Sequence, residues 1–385
     1  MAKVKACLVP RLAEILKSKA RNHDIDVDLV KSIEGIRSCT YRFNPMFRYW
    51  IPKGKNHFRP ITQPHSSDVL ILKSLCTLFN ELDDQFHLLS HGFRPKRGVI
   101  TLFRSLASWS SLVLIQRSDI VSCFDNIPHD LLLSRLQSFL GPKNPELLDL
   151  ISSLLNVPIL DQNGVNYASP SKGIPQGSPF SPILMNIVLH SIDVEMGRFV
   201  SSGELFYLRY ADDIVLGFHN KRTIPRLILA FQKSLNDLKL QEKSSKVWRQ
   251  EKKGSPHIRI LGFICSITEN GKIVTRAPFA KWKKKLSLTN ILRDIKEKER
   301  TLQSFLVNFL LVIEPYIHFF SACPCSQSQV EFLSFAKSLL RKRSLEFQTA
   351  NYESNSKEYI KLLRNSEQKL AKKIDGIFHY WTHPK

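Results

Sequence analysis

The chain has 385 residues, with 56 Lys+Arg against 34 Asp+Glu and a formal net charge of +22 at pH 7. A length of this order suits about two or three domains of roughly 100–200 residues, and a hydrophobic fraction of 43% excludes a wholly disordered basic tail. The charge points to a polyanion, either nucleic acid or an anionic membrane surface, rather than to an ordinary small-molecule enzyme.

The first segment, Met1 to His23, carries six Lys/Arg against Glu14 alone, with Leu8, Leu12, Ile15 and Leu16 on one helical face. That composition suits an organelle-import presequence or a first helix lying on nucleic acid, and the second is preferred. Residues 1–40 read as a helical extension, with Val27, Leu29, Val30 and Ile33 as a second apolar cluster. Residues 41–62 read as turn-rich and basic. A helical pattern follows over Asp68–Leu89, then a short buried strand over Leu112–Ile115, a helix over His129–Leu140 and a long helix over Pro179–Phe199. Leu205–Phe218 reads as strand, two-residue turn, strand. Further strands are expected over Ile258–Ile267 and Lys272–Val274, and the pattern after Ala280 is helical and basic. Mixed strands and helices followed by helices imply an α+β body, 41–276, with a helical appendage, 277–385.

Seven scattered cysteines argue against a secreted disulfide framework. Only Cys323 and Cys325 are close, and no second pair completes a zinc site. A reducing, intracellular compartment is expected, either an organelle such as the mitochondrion or a bacterial cytoplasm. The richest apolar run, Phe305–Ile313, ends at Glu314-Pro315, well short of the ~20 residues that span a bilayer. No membrane partner is expected.

The strongest local signal is Leu208-Arg209-Tyr210-Ala211-Asp212-Asp213-Ile214-Val215-Leu216-Gly217. Two adjacent carboxylates at a tight turn between apolar strands repel each other and lose hydration. A divalent cation would resolve that cost; an Asp-rich hairpin loop is the plainer alternative. Asp119 ends a second apolar strand. If that strand lies beside the hairpin, Asp119, Asp212 and Asp213 converge, and three carboxylates could hold two Mg²⁺ ions for phosphoryl transfer. Asp125 reads as a structural N-cap before Pro128.

Between them, Lys172-Gly173-Ile174-Pro175-Gln176-Gly177-Ser178-Pro179 forms a fixed loop that opens the long helix. Gly177 lets backbone approach a ligand closely, and a helix N-terminus offers free N–H groups. Upstream, Pro52-Lys53-Gly54-Lys55-Asn56-His57-Phe58-Arg59 is a basic turn suited to triphosphate.

The order of these segments resembles a reverse transcriptase of the group II intron-encoded, maturase-like branch. The likeness covers about Thr40 to Phe263. It rests on IPKGK…RPI, Asp68 in the helix that follows, Ser90-His91-Gly92-Phe93-Arg94-Pro95, SDIVSCFDNI, GIPQGSPFSPILMN, YADD and Ile260-Leu261-Gly262-Phe263.

The resemblance implies a right-hand polymerase fold, α+β, with fingers and palm over 41–276 and an all-helical thumb after it. It implies an RNA-directed DNA polymerase that uses an RNA template, a DNA or RNA primer, dNTPs and two Mg²⁺ ions, with Mn²⁺ as an alternative. The metals would sit on Asp119, Asp212 and Asp213, with Asp213 the less direct ligand. Phe124 matches a bulky gate that would clash with a 2′-hydroxyl. Lys53 and Arg59 would neutralise triphosphate charge, and Gln176 and Gly177 would floor the incoming base pair. Tyr210 would lie near the primer terminus, and Arg94 would either contact template or brace the palm. The family tends to place a lysine, the candidate general acid for pyrophosphate, where this chain has Ser244; Lys243 and Lys246 are the nearby substitutes.

The charge excess concentrates late. Residues 241–385 hold 27 Lys+Arg against 13 Asp+Glu, a net +14. Trp282 amid Lys281, Lys283, Lys284 and Lys285 suits phosphate contact with stacking. Tyr316-Ile317-His318-Phe319-Phe320 faintly resembles the thumb of intron maturases, so a structured intron RNA is a further expected partner. The alternative function is an RNA-binding splicing factor whose polymerase activity is secondary or lost.

Overall fold

The computed structural model of the chain describes residues 6–21, 29–54, 57–168, 171–243, 246–249, 258–278 and 326–351, with single positions between 304 and 372. In chain order the elements are α1 (Val9–Arg21), α2 (Leu29–Arg37), β1 (Met46–Gly54), β2 (His57–Gln63), α3 (Ser66–Asn80), α4 (Val99–Ala107), β3 (Leu114–Asp119) and α5 (Cys123–Asn126). Then come α6 (His129–Leu140), α7 (Pro145–Leu155), β4 (Ile159–Leu160), α8 (Ser181–Ser201), β5 (Phe206–Tyr210), β6 (Asp213–Phe218) and α9 (Ile224–Asn236). The described residues close with β7 (Lys246–Arg249), β8 (Ile258–Ile260), β9 (Phe263–Ile267), β10 (Ile273–Arg276) and α10 (Ser326–Asn351).

Contacts group these into two units, one of residues 1–98 and 113–247, the other of residues 99–112 and 248–385. In the first unit, β5, β6, β3 and β7 form a four-stranded sheet in that order. β3 and β5 both run antiparallel to β6. The residues of β6 from Ile214 to Phe218 are all buried. Helix α8 is apolar on nearly every side, with Ile183, Leu184, Met185, Ile187, Val188, Leu189, Ile192 and Met196 buried, as a helix enclosed by its neighbours must be. Pro182 in its first turn costs no hydrogen bond there.

Residues 41–62 differ from the turn-rich reading. They contain a long antiparallel hairpin, β1 against β2, with β4 parallel on the other side of β1. Pro52, Gly54 and Pro60 mimic loop punctuation in sequence, yet Pro60 lies on β2 at the sheet edge, where a missing N–H costs no ladder bond. Gly54 follows a register irregularity. In the second unit, β8, β9 and β10 form an antiparallel sheet, and Phe103 of α4 meets Phe263 edge-on at 4.7 Å.

No helix among the described residues is long and apolar enough to cross a membrane; Phe305–Ile313 lies largely outside them. Cys7, Cys39, Cys76, Cys123 and Cys265 are free thiols.

One polar network is sealed inside the first unit. Arg209 and Asp193 have side chains at 0% exposure. Arg209 uses all five of its N–H donors: Nε to Asp193 Oδ1 at 2.7 Å, Nη1 to Asn186 Oδ1 and the Ala211 carbonyl, and Nη2 to Ser90 Oγ and Asp193 Oδ2. Tyr207 adds its hydroxyl to Asp193 Oδ1 at 2.8 Å. A buried charge is tolerable only when paired and fully hydrogen-bonded. Replacing Arg209 with Met strands the Asp193 carboxylate, which should cost about 3–5 kcal/mol. Denaturant unfolding tests this, and a loss below about 1 kcal/mol, the size of an exposed pair, would contradict it.

Candidate active site

The hairpin turn is built as the sequence suggests. Tyr210 pairs with Asp213, leaving Ala211 and Asp212 as the two-residue loop. Ala211 takes φ +58°. Positive φ at the first loop residue but not the second matches the II′ pattern, whose twist suits paired strands. Ala carries a Cβ into a conformation that favours glycine, so the turn is strained. What holds it is local: Arg209 binds the Ala211 carbonyl, and Gly92 packs so close to the Ala211 amide that any Cβ at Gly92 would collide with it. Asn186 of α8 donates to the Gly92 carbonyl at 2.9 Å.

The strand ending in Asp119 does lie beside the hairpin, with Asp119 directly opposite Asp213. Asp119 thus stands beside Asp213, and its charge reaches Asp212. Burial, then the Asp119 charge, pushes the Asp212 carboxyl above the ordinary carboxylate range, against the pull of Arg59 and Arg117. Burial likewise raises Asp213, with Arg117 acting the other way.

Arg117 is the residue the sequence reading overlooked. Its Nε and Nη2 donate to the two oxygens of Asp213 at 2.5 and 2.7 Å. Among the described residues, no three His, Cys, Asp or Glu side chains form one metal cluster. Asp119 and Asp212 are the carboxylates without such a partner. The signal was available: Arg117 precedes Asp119 by two residues on a strand, so both share a face.

Around this turn the other expected residues fall in several places. Arg59 is exposed on β2, paired across from Ile51, and its charge reaches Asp212. Lys53 lies on β1 beside the Pro52–Phe58 pair, its side chain outside the described residues. Phe124 is half-buried on α5, which the chain enters through Ser122 at φ 40°. Its carbonyl accepts from the Ile174 amide at 2.7 Å, so the loop before α8 is stitched beneath it.

Gln176 donates Nε2 to both oxygens of Asp125 at 3.1 Å. This corrects the N-cap reading of Asp125: it sits inside α5, and Pro128 is the residue before α6. The Gln176 carbonyl accepts from the Thr62 amide at 2.5 Å. Gly177, at φ +121°, lies against the Thr62 carbonyl where a Cβ could not fit. Together these two residues fasten the β1–β2 hairpin to the loop. Tyr210 is half-buried, its ring 6.4 Å from the exposed ring of Phe93.

Arg94 is not available to a template. Its side chain is 3% exposed, and its five N–H donors go to Asp83 Oδ1, Oδ2 and carbonyl and to the carbonyls of His87 and Ser90. It braces the loop that carries Gly92. Lys243 is exposed and donates its backbone N–H to the Asp119 carbonyl at 2.8 Å. Lys246 begins β7 with its side chain undescribed, and Ser244, Lys283, Lys284 and Lys285 lie outside the described residues.

The reverse transcriptase (RNA-dependent DNA polymerase) family matches residues 51–265, more than half of the chain. This chain belongs to the reverse transcriptase family. A Schizosaccharomyces pombe protein described as an uncharacterized 91 kDa protein in cob intron is 34% identical over 172 residues, which is 44% of this chain and 21% of that protein. The putative COX1/OXI3 intron 2 protein of Saccharomyces cerevisiae is 32% identical over 172 residues, 43% of this chain and 19% of that protein. The group II intron-encoded protein LtrA of Lactococcus lactis is 31% identical over 166 residues, 42% of this chain and 27% of that protein. The matched part thus spans about a fifth to a quarter of these relatives' length. Among solved structures, apo telomerase from Candida tropicalis aligns at TM-score 0.49 and 13% identity, over 88% of this chain and 64% of that chain.

Reverse transcriptases work with divalent metal ions, and the residues present suit one. Asp119 and Asp212 supply hard oxygen donors, and Mg²⁺ needs only one or two carboxylates when substrate phosphates and water complete its shell. Without metal, the raised Asp212 carboxyl works against the fold at neutral pH. Between its unfolded and its raised folded value the folded state binds more protons, so stability falls as pH rises through that window. Asp212→Asn should therefore melt at or above the wild-type temperature in EDTA at pH 7, with the difference vanishing towards pH 3–4. A clear drop in EDTA at pH 7 would contradict this.

Proposed function

We propose that this protein is an RNA-directed DNA polymerase, extending a primer 3′-hydroxyl on an RNA template with dNTPs. The observation that carries this reading is the juxtaposition of Asp119 with the Ala211-Asp212 turn across two paired strands, within a chain of the reverse transcriptase family. Two Mg²⁺ ions, or Mn²⁺ in their place, would bind Asp119 and Asp212, promote attack by the primer 3′-hydroxyl and neutralise the charge on the leaving pyrophosphate.

The protein's own groups supply the rest. Arg59, whose charge offsets Asp212, would meet the triphosphate together with Lys53. Phe124, whose carbonyl is fixed by the Ile174 amide, would exclude a 2′-hydroxyl by clash. Gln176 is braced by Asp125, and with Gly177 it would support the base pair. Tyr210 would receive the primer terminus beside Asp213. Lys243, tied by its backbone to Asp119, or Lys246 would supply the proton to the leaving pyrophosphate. The thumb over 277–385 would grip the duplex through its basic residues, and the description of relatives as intron-encoded supports a structured intron RNA as template or partner.

Primer extension on an RNA template with Mg²⁺ tests the reading. Asp119→Asn or Asp212→Asn should lower single-turnover incorporation by more than about 10³-fold, the scale lost when a group acting as part of a catalytic unit is removed. Absence of template-directed synthesis by folded wild-type protein would sink the proposal. Phe124→Ala should keep dNTP incorporation while raising rNTP incorporation about tenfold or more, since one lost steric contact relaxes discrimination by about 1–3 kcal/mol; unchanged selectivity would remove Phe124 from the gate.

A further inference from the structure

We propose that Arg117 is the resident counter-cation of this site: it withholds Asp213 from the metal and thereby sets how tightly the site takes a divalent ion. The inference rests on the polymerase reading above and deepens it.

The geometry is specific. Arg117 stands two residues before Asp119 on β3, so both project to the same face. Asp213 is opposite Asp119 on β6, which places Arg117 on the diagonal, a distance that a long side chain bridges. The guanidinium reaches both oxygens of Asp213 in a fork-to-fork contact, Nε at 2.5 Å and Nη2 at 2.7 Å. The two side chains are 25% and 13% exposed, so water screens the pair only partly.

The charged groups facing this pair are Asp119 and Asp212, and Arg59 faces Asp212 in turn. Three carboxylates crowd one face with one guanidinium among them. A divalent ion on Asp213 would sit about 2.1 Å from an oxygen that already accepts from Arg117, bringing two cations within a few ångströms in a half-dry site. Coulomb repulsion there is strong. The ion is therefore directed to Asp119 and Asp212, and Asp213, the first residue of β6, serves as a positioning residue that holds Arg117.

The test uses the full chain without nucleotide or nucleic acid, titrated with Mn²⁺. Free Mn²⁺ is read by electron paramagnetic resonance and the Mn²⁺-dependent rise in melting temperature is read in parallel. Arg117→Gln removes the competing cation and frees Asp213. Mn²⁺ should then bind about 10–100-fold more tightly, the range over which neighbours of metal ligands tune affinity, and the melting-temperature rise should grow. Arg117→Lys, which keeps the charge but loses the fork, should stay near wild type. Adding Asp213→Asn to Arg117→Gln should abolish most of the gain.

Three results would overturn the proposal. Arg117→Gln could bind Mn²⁺ no more tightly than wild type. The gain could survive loss of the Asp213 carboxylate. Neither single Arg117 variant could fold, which would make the pair a structural ion pair. Primer extension is a separate readout. An inactive protein with the expected Mn²⁺ shifts would refute the polymerase reading and leave the role of Arg117 standing.

Discussion

The buried pair between Arg209 and Asp193 is the constraint from which the rest of the site follows. A guanidinium with no exposure must satisfy five donors inside the protein. Here those donors reach α8 through Asp193 and Asn186, the loop before Gly92 through Ser90, and the β5–β6 turn through the Ala211 carbonyl. Three separate stretches of chain are thus locked to one side chain. The turn needs such a lock, because Ala211 sits at positive φ and would otherwise relax. Strain at a functional turn persists only where the surroundings over-determine it.

The same logic repeats outward. Arg94 is a second saturated arginine, and it fixes the loop that presses Gly92 against Ala211. Thr62 and Gln176 join the β1–β2 hairpin to the loop beneath Phe124. Each link is a backbone or charge-assisted hydrogen bond in a dry setting, where such bonds are strongest. Rigid placement would serve the proposed nucleotidyl transfer, which depends on positioning and electrostatics more than on covalent chemistry by the protein.

Much of this was legible in the sequence, for identifiable reasons. The two-residue turn between apolar strands, the helix over His129–Leu140 and the strands after Ile258 each carry a clean period and clear end signals. The three aspartates stood out because charge is costly at the end of a buried strand. What stayed hidden was partnership. The functions of Arg209 and Arg117 depend on residues 16 and 96 positions away, and no local pattern reports that. Arg94 offered two readings because an arginine in a loop looks the same whether it meets phosphate or carbonyls. The hairpin over Met46–Gly54 and His57–Gln63 was masked by two prolines: Pro60 lies on the edge strand, and Pro52 lies on β1 beyond Met46 and Phe47, the residues that pair with β4. The net charge of +22 now divides into parts. Arg209, Arg94 and Arg117 are held inside the fold by Asp193, Asp83 and Asp213, and because each of these pairs is neutral the whole excess rests on the other charged groups.

The most direct measurement is a crystal structure of the protein with an RNA template, a chain-terminated DNA primer, a matched dNTP and Mn²⁺, read by anomalous scattering. The account predicts metal density between Asp119, Asp212 and the triphosphate, with Arg117 still on Asp213. Density on Asp213 with Arg117 displaced would contradict the metal assignment. Nucleotide bound away from the Ala211-Asp212 turn would contradict the whole account.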